Sequence, residues 1–179
     1  MNNVGKIKGK DIWDLFKLQN KFFKEIHSII ETFDENLDKN GFELFNNNLL
    51  DVGKVNKEYD RWTPSGIQFS FKNKNKRIGI NFIFRELDVE KINSYTCEPL
   101  VIISKYELSK TKKSNEYDNY YIVDELIKTK RFSLSKKIDL KDISFDGNTI
   151  SNGFFKTIKL LDITSKKDIL SVCNEMNMW

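Results

Sequence analysis

Between Gly66 and Arg85 two runs of alternating apolar residues are joined by six residues that carry four positive charges. In an extended chain Ile67, Phe69 and Phe71 share one face of the first run, and Ile78, Ile80, Phe82 and Phe84 share one face of the second, because strand side chains point alternately to opposite sides. A helix would scatter the same residues around its circumference. The pattern predicts a β-hairpin whose Phe/Ile face belongs to a core, with Lys72, Lys74, Lys76 and Arg77 at a basic tip. That tip carries +4, equal to the formal net charge of the whole chain.

Such a face needs a cover, and the N-terminal segment supplies one. From Asp11 to Asn40 the residues Ile12, Leu15, Phe16, Phe22, Phe23, Ile26, Ile29, Ile30, Phe33 and Leu37 recur at three and four, the helical period. Asp11 is the expected cap and Gly41 the expected stop. A helix of this length runs about 45 Å, long for one domain, so a bend or an overhanging end is expected. Trp13 projects about 135° from the centre of the stripe while Gln19 falls near its middle. Either the first turns leave the body and dock on another chain, or a bend or the C-terminal segment with Trp179 covers Trp13.

Gly41 to Phe45 reads as a short strand and Asn46-Asn47-Asn48 as a turn, with a helical continuation through Leu49, Leu50, Val52 and Val55 as the alternative. Trp62-Thr63-Pro64-Ser65-Gly66 is turn chemistry leading into the hairpin. Pro99-Leu100-Val101-Ile102-Ile103-Ser104 is a continuous apolar run and predicts a central strand covered on both faces. Ser109 to Asn119 reads as an exposed loop, and Tyr120 to Lys128 as a strand or short helix. Asp146-Gly147-Asn148 marks a turn, and Phe155 to Ile163 is strand-like. Thr164 or Ser165 caps a final helix through Ile169, Leu170, Val172 and Met176. The expected fold is a single α+β domain over 1–179: a mainly antiparallel sheet of about five or six strands, with the long N-terminal helix packed on one face and a short C-terminal helix.

Apolar residues make up 39% of the 179 positions and aromatics 13%, enough to build a core. The chain has no alanine, and Lys outnumbers Arg 26 to 4, the mark of A/T-rich codons in a low-GC bacterium or its phage. A pI near 8.9 therefore says little about nucleic acid. Distribution says more: residues 128–141 carry a net +5 and residues 31–51 a net −5. Cys97 and Cys173 lie far apart, without metal-ligand spacing, and read as reduced thiols of a cytoplasmic protein. Met1 to Lys10 has no apolar segment behind it, and no stretch reaches the ~20 apolar residues of a membrane span, so no membrane partner is expected.

No Gly-x-Gly-x-x-Gly or Gly-x-x-x-x-Gly-Lys-Ser/Thr loop is present, and no metal or cofactor is implied. His27 is the single histidine, at the edge of the helical stripe, with no nucleophile motif to serve. Asp139 and Lys141 form an Asp-x-Lys triplet on an expected strand, where both side chains would share a face, with Asp118, Asp124 or Glu125 as partner. This resembles the Asp…Asp/Glu-x-Lys arrangement of restriction-endonuclease-like folds, and implies a Mg²⁺-dependent nuclease as the alternative function. The basic tip together with Tyr59, Arg61 and Trp62 is the mixture used on single-stranded nucleic acid, which makes non-cleaving nucleic-acid binding a further alternative. Arg61 and Arg85 stand out because arginine is rare here and its planar fork suits phosphate or carboxylate. The leading expectation is a non-catalytic protein of the inhibitor or immunity type that binds a protein partner, a second copy of itself included. Its expected contact residues are Lys72, Lys74, Lys76, Arg77, Arg61, Trp62, Arg85 and Trp13.

Overall fold

The computed structural model describes residues 9–50, 66–84, 99–109, 122, 125–126, 129, 131, 136–145 and 148–176. A long helix, α1 (Gly9–Asp38), is followed by strands β1 (Glu43–Leu50), β2 (Gly66–Asn73), β3 (Lys76–Ile83), β4 (Leu100–Leu108), β5 (Lys137–Asp139), β6 (Ser144–Phe145) and β7 (Asn148–Lys159). A 3-10 turn (Leu160–Asp162) leads to the short helix α2 (Lys166–Glu175). The seven strands form one sheet in the order β1-β2-β3-β4-β7-β5, with β6 beside β7. Every pairing is antiparallel. The α+β class and the two helices are as expected, and the sheet is larger than five or six strands.

The hairpin register matches the alternation. Ile67 pairs with Phe82, Phe69 with Ile80 and Phe71 with Ile78. These residues face α1, whose Ile26, Ile30, Phe33 and Leu37 close over them together with Ile169, Cys173 and Met176 of the C-terminal helix region. Phe33, Leu37, Phe71, Ile78, Ile80 and Phe82 are fully buried. Burial pushes the Cys173 thiol pKa up. β4, the expected central strand, lies between β3 and β7, with Val101 and Ile103 in the helix-side core. Leu100, Ile102, Tyr106 and Leu108 point to the opposite face, into a second core with Ile122, Leu126, Leu140, Ile150 and Phe155. Gly153 makes the β4–β7 contact close: a Cβ there would lie 2.6 Å from the Tyr106 Cβ and 2.7 Å from the Lys105 carbonyl oxygen.

Helix α1 ends as Gly41 predicts. Gly41 has φ 73, its N–H donates to the Asp38 carbonyl, and the Phe42 N–H donates to the Leu37 carbonyl at 3.0 Å. Leu37 and Phe42 share the helix-side core, which completes a Schellman stop. The start differs from expectation: Gly9 and Lys10 are already helical, so Asp11 lies inside α1, where a carboxylate suits the positive helix end, rather than at the cap. The Asn46-Asn47-Asn48 tract is likewise not a turn. It continues β1 to Leu50 along β2, after a bulge between Leu44 and Asn46. Pairing on β2 outweighs the local preference of asparagine for turns. Ile122, Glu125 and Leu126 are helical, which selects helix over strand at those positions. The turns read at 62–66 and at 146–148, and the loop read over 109–119, fall almost wholly outside the described residues.

Candidate functional site

The basic tip is divided by the geometry of its own strands. The turn between β2 and β3 has two residues, Lys74 and Asn75, so Lys72 and Arg77 are a cross-strand pair, as are Asn73 and Lys76. Lys72 and Arg77 share the face turned away from α1, whereas Lys76 belongs to the helix face. Lys74 occupies the turn with φ 53 and is exposed.

Arg77 departs from the expectation of an exposed contact residue, being 5% exposed. Its Nη1 donates to the carbonyl oxygens of Lys74 at 2.6 Å and Lys76 at 2.9 Å, so its fork ties down its own turn. Its guanidinium also lies 5.8 Å from the centre of the Phe45 ring. Lys72 stands over the same ring and pairs with Glu43 at 3.2 Å. Of the four tip charges, Lys74 and Lys76 are exposed to solvent on the outer rim.

Lys76 meets a cluster that the linear sequence separates. Register places Lys105 beside Ile78 on one side and Phe154 on the other, and places Lys137 beside Lys156. Lys76, Lys105 and Lys137 therefore share the helix face near the hairpin tip. A groove of about 280 Å³ runs here, lined among others by Lys76, Lys105, Glu107, Asn152, Phe154 and Met176. The Lys137 ammonium sits 3.9 Å from the Phe154 ring centre and donates to the Glu175 carbonyl at 3.3 Å. Lys156 pairs with the Glu175 carboxylate, and Asn75 donates to Glu107 at 2.7 Å. Partial burial first, then the neighbouring charges of Lys76 and Lys137, hold the Lys105 pKa below its usual value. This rim favours an incoming negative charge.

Most of the acidic stretch 31–51 that the structure describes is spent internally. Glu31 pairs with His27 at 3.4 Å, Glu35 with Lys166 at 3.4 Å and Glu43 with Lys72. His27 is thus an exposed helix-surface residue beside a carboxylate.

The Asp139/Lys141 pair does not form the expected strand site. β5 ends at Asp139, and Lys141 lies in the following turn, where its backbone N–H donates to the Asp139 carboxylate at 2.8 Å. The carboxylate acts as a turn cap, the role short acidic side chains take where a strand stops. Of the three partners considered, Glu125 is described and Asp118 and Asp124 lie outside. Among the described residues no three His, Cys, Asp or Glu side chains group as metal ligands, and no helix is long and apolar enough to cross a membrane.

Among the described residues, most of the exposed large apolar side chains lie at the other end of the molecule. Every residue from 9 to 21 of α1 is exposed, including Ile12 at 47%, Trp13 at 63%, Leu15 at 63%, Phe16 at 52% and Leu18 at 65%. Phe22 and Phe23 are half-buried, and the Phe22 ring meets Phe84 edge-on at 5.2 Å, just past the end of β3. The opposite end of α1 lies at the hairpin tip, where Asn73 donates to the Asn40 carbonyl at 3.3 Å. Residues 9–21 therefore form an arm of about 20 Å beyond the sheet edge. Trp13 is uncovered, and Gln19 sits in the stripe at a level where the stripe has no core to meet. Arg61, Trp62, Arg85, Tyr59 and Trp179 lie outside the described residues. Comparison with known proteins found no matching family model, no matching curated protein and no matching solved structure.

Proposed function

We propose that this chain is a non-catalytic binding protein that works by contacting another protein, with the α1 arm as its contact element and inhibitor or immunity-type action as the consequence. The observation that carries this reading is the arm's girdle of Ile12, Trp13, Leu15, Phe16 and Leu18, each with about half or more of its surface in water. At 100° per residue these five span about 220° of the helix circumference. A helix apolar over so much of its surface is normally buried, and folding of this chain leaves it bare. Binding a partner removes that surface from water, at roughly 25 cal/mol for each Å².

The test is a sizing experiment on native extract. Tagged wild-type chain is expected to elute in a larger complex, and the Trp13→Ser, Leu15→Asp variant as the free chain with an unchanged melting temperature. Co-elution of the variant with the complex would remove the arm from the contact. A second reading, nucleic-acid contact, draws on the lysine-lined groove. It predicts affinity that falls steeply with salt and weakens in Lys76→Glu. Mg²⁺-dependent cleavage of nucleic acid, lost in Asp139→Ala, would replace both readings with the nuclease alternative.

A further inference from the structure

We propose that the lysine-lined groove beside the hairpin tip is a binding site for one terminal phosphate group, a phosphate monoester carried on a small molecule. The groove lies at the opposite end of α1 from the arm and shares none of the arm's surface.

Register brings the positive groups together. Lys76 pairs with Glu107 across β3 and β4, and Glu107 pairs with Asn152 across β4 and β7, so these three form one row. Lys105 stands two residues along β4 from Glu107, on the same face and diagonal to Lys76, on strands that lie about 4.8 Å apart. Phe154 and Met176 complete the walls. Lys137 approaches from beyond Phe154, its ammonium 3.9 Å from the ring centre. Two ammonium groups thus line the groove and a third stands behind it.

The nearby carboxylates are engaged elsewhere. Glu107, the one carboxylate in the lining, accepts from the Asn75 amide at 2.7 Å. Glu175 takes Lys156, and Asp139 accepts from the Lys141 backbone N–H at 2.8 Å. Lys76 makes no ion pair among the described residues. The half-buried Lys105 holds its charge with part of its hydration removed and with Lys76 and Lys137 in range, the two causes that lower its pKa. An anion in the groove offsets both. A small pocket in which perturbed and convergent charged groups meet is the usual setting of a ligand site.

Size and chemistry select the ligand. About 280 Å³ is at the lower end of small-molecule sites, room for one charged group with a short apolar carrier against Phe154 and Met176. A phosphate monoester carries roughly −1.5 to −2 at pH 7 and three acceptor oxygens, which Lys76, Lys105 and the Asn152 amide can share. A carboxylate brings a single charge and fewer oxygens. A nucleic-acid strand needs a track of cations and open ring faces for its bases. Here the Tyr106 ring is turned into the opposite core, and Lys137 occupies one face of Phe154.

The experiment is a titration of the isotopically labelled full chain, followed through its amide NMR signals. The probes are inorganic phosphate, phenyl phosphate, benzoate and a short single-stranded oligonucleotide that lacks terminal phosphates. Shifts are expected to gather at Lys76, Lys105 and residues 152–154, with phenyl phosphate binding about tenfold or more tighter than benzoate. Lys105→Met and Lys76→Gln should each weaken phenyl phosphate about fivefold or more, whereas Lys74→Gln, in the turn and outside the groove, should weaken it less than about twofold.

Benzoate bound as tightly as phenyl phosphate would overturn phosphate as the group recognised. Equal weakening by Lys74→Gln and Lys76→Gln would replace a defined site with a diffuse basic surface. Tighter binding of the oligonucleotide at the same amides would overturn the monoester and favour nucleic acid at this groove. Absence of shifts at these amides with millimolar phenyl phosphate would remove the site. If Lys105→Met lowers the melting temperature, Lys76→Gln decides, because its side chain is exposed and the fold does not depend on it.

Discussion

Residues 22–38 of α1 lie against the sheet while residues 9–21 of the same helix stand in solvent, although both stretches repeat apolar side chains at three and four. Nothing in the periodicity separates them. What separates them is the length of the sheet: β3 ends at Ile83, Phe84 meets Phe22, and further toward the N-terminus no strand runs beneath the helix among the described residues. Amphipathic spacing thus states that a face must be covered, and the reach of the neighbouring element decides whether the same chain can cover it. The held half derives its stability from tertiary packing. The arm, thirteen residues long, is near the limit at which a helix persists in water, so covering by a partner would also firm its helix.

Substitutions along α1 put this contrast at risk. Phe33→Ala, at a fully buried site in the helix-side core, is expected to cost about 3–5 kcal/mol in a denaturant titration. A loss below 1 kcal/mol would mean the held half is no better packed than the arm. Ile30→Val, which removes one methylene nearer the arm, should cost about 1 kcal/mol by the same titration. The C-terminal helix gives a pH-dependent version. Hydroxyl groups of Ser165 and Thr164 and the Thr164 N–H donate to Asp168 and hold its carboxyl below the usual carboxylate range. A carboxyl whose folded pKa is depressed contributes stability that is present above its unfolded pKa and lost as pH falls through the folded one. Melting curves of wild type and Asp168→Asn should therefore differ modestly at pH 7 and draw together only as pH falls below about 4. A gap that widens on acidification would contradict this assignment. At the small end, Phe16→Ala is expected to change the unfolding free energy of the monomer by less than about 0.5 kcal/mol, in contrast to Phe33→Ala on the same helix.

Much of the body was legible because its signals are local. The alternation of Phe and Ile over 67–84 marked the hairpin and its core face, and Gly41 marked the end of α1. The arm was only half legible: Trp13 projecting outward while Gln19 fell inside the stripe left a projecting start and a covered Trp13 as alternatives. Other features were not local. Summing Lys72, Lys74, Lys76 and Arg77 into one patch ignored the two-residue turn, which sends the 72/77 pair and the 73/76 pair to opposite faces. Burial of Arg77 follows from carbonyls of its own turn, which a charge count cannot register. The cluster of Lys105 with Lys137 and Phe154 requires β4, β7 and β5 to be adjacent, and that adjacency joins residues far apart in the chain. A hint was available in Lys137 and Asp139 flanking Ile138 in strict alternation, which marks a short strand with a charged side. The Asp139–Lys141 triplet was misleading for the same reason of scale, because a strand that stops at Asp139, two residues short of Lys141, turns a shared face into a capped turn.

Gly153 bears on how this architecture tolerates change. Tyr106 and the Lys105 carbonyl occupy the space where any side chain would begin, so the seam between β4 and β7 closes around a missing methyl group. A saturation scan of the gene, scored for folded protein, would find this codon nearly invariant, while the neighbouring exposed Asn152 accepts most replacements. The position is thus a steric checkpoint, a place where evolutionary drift is halted by contact distance alone.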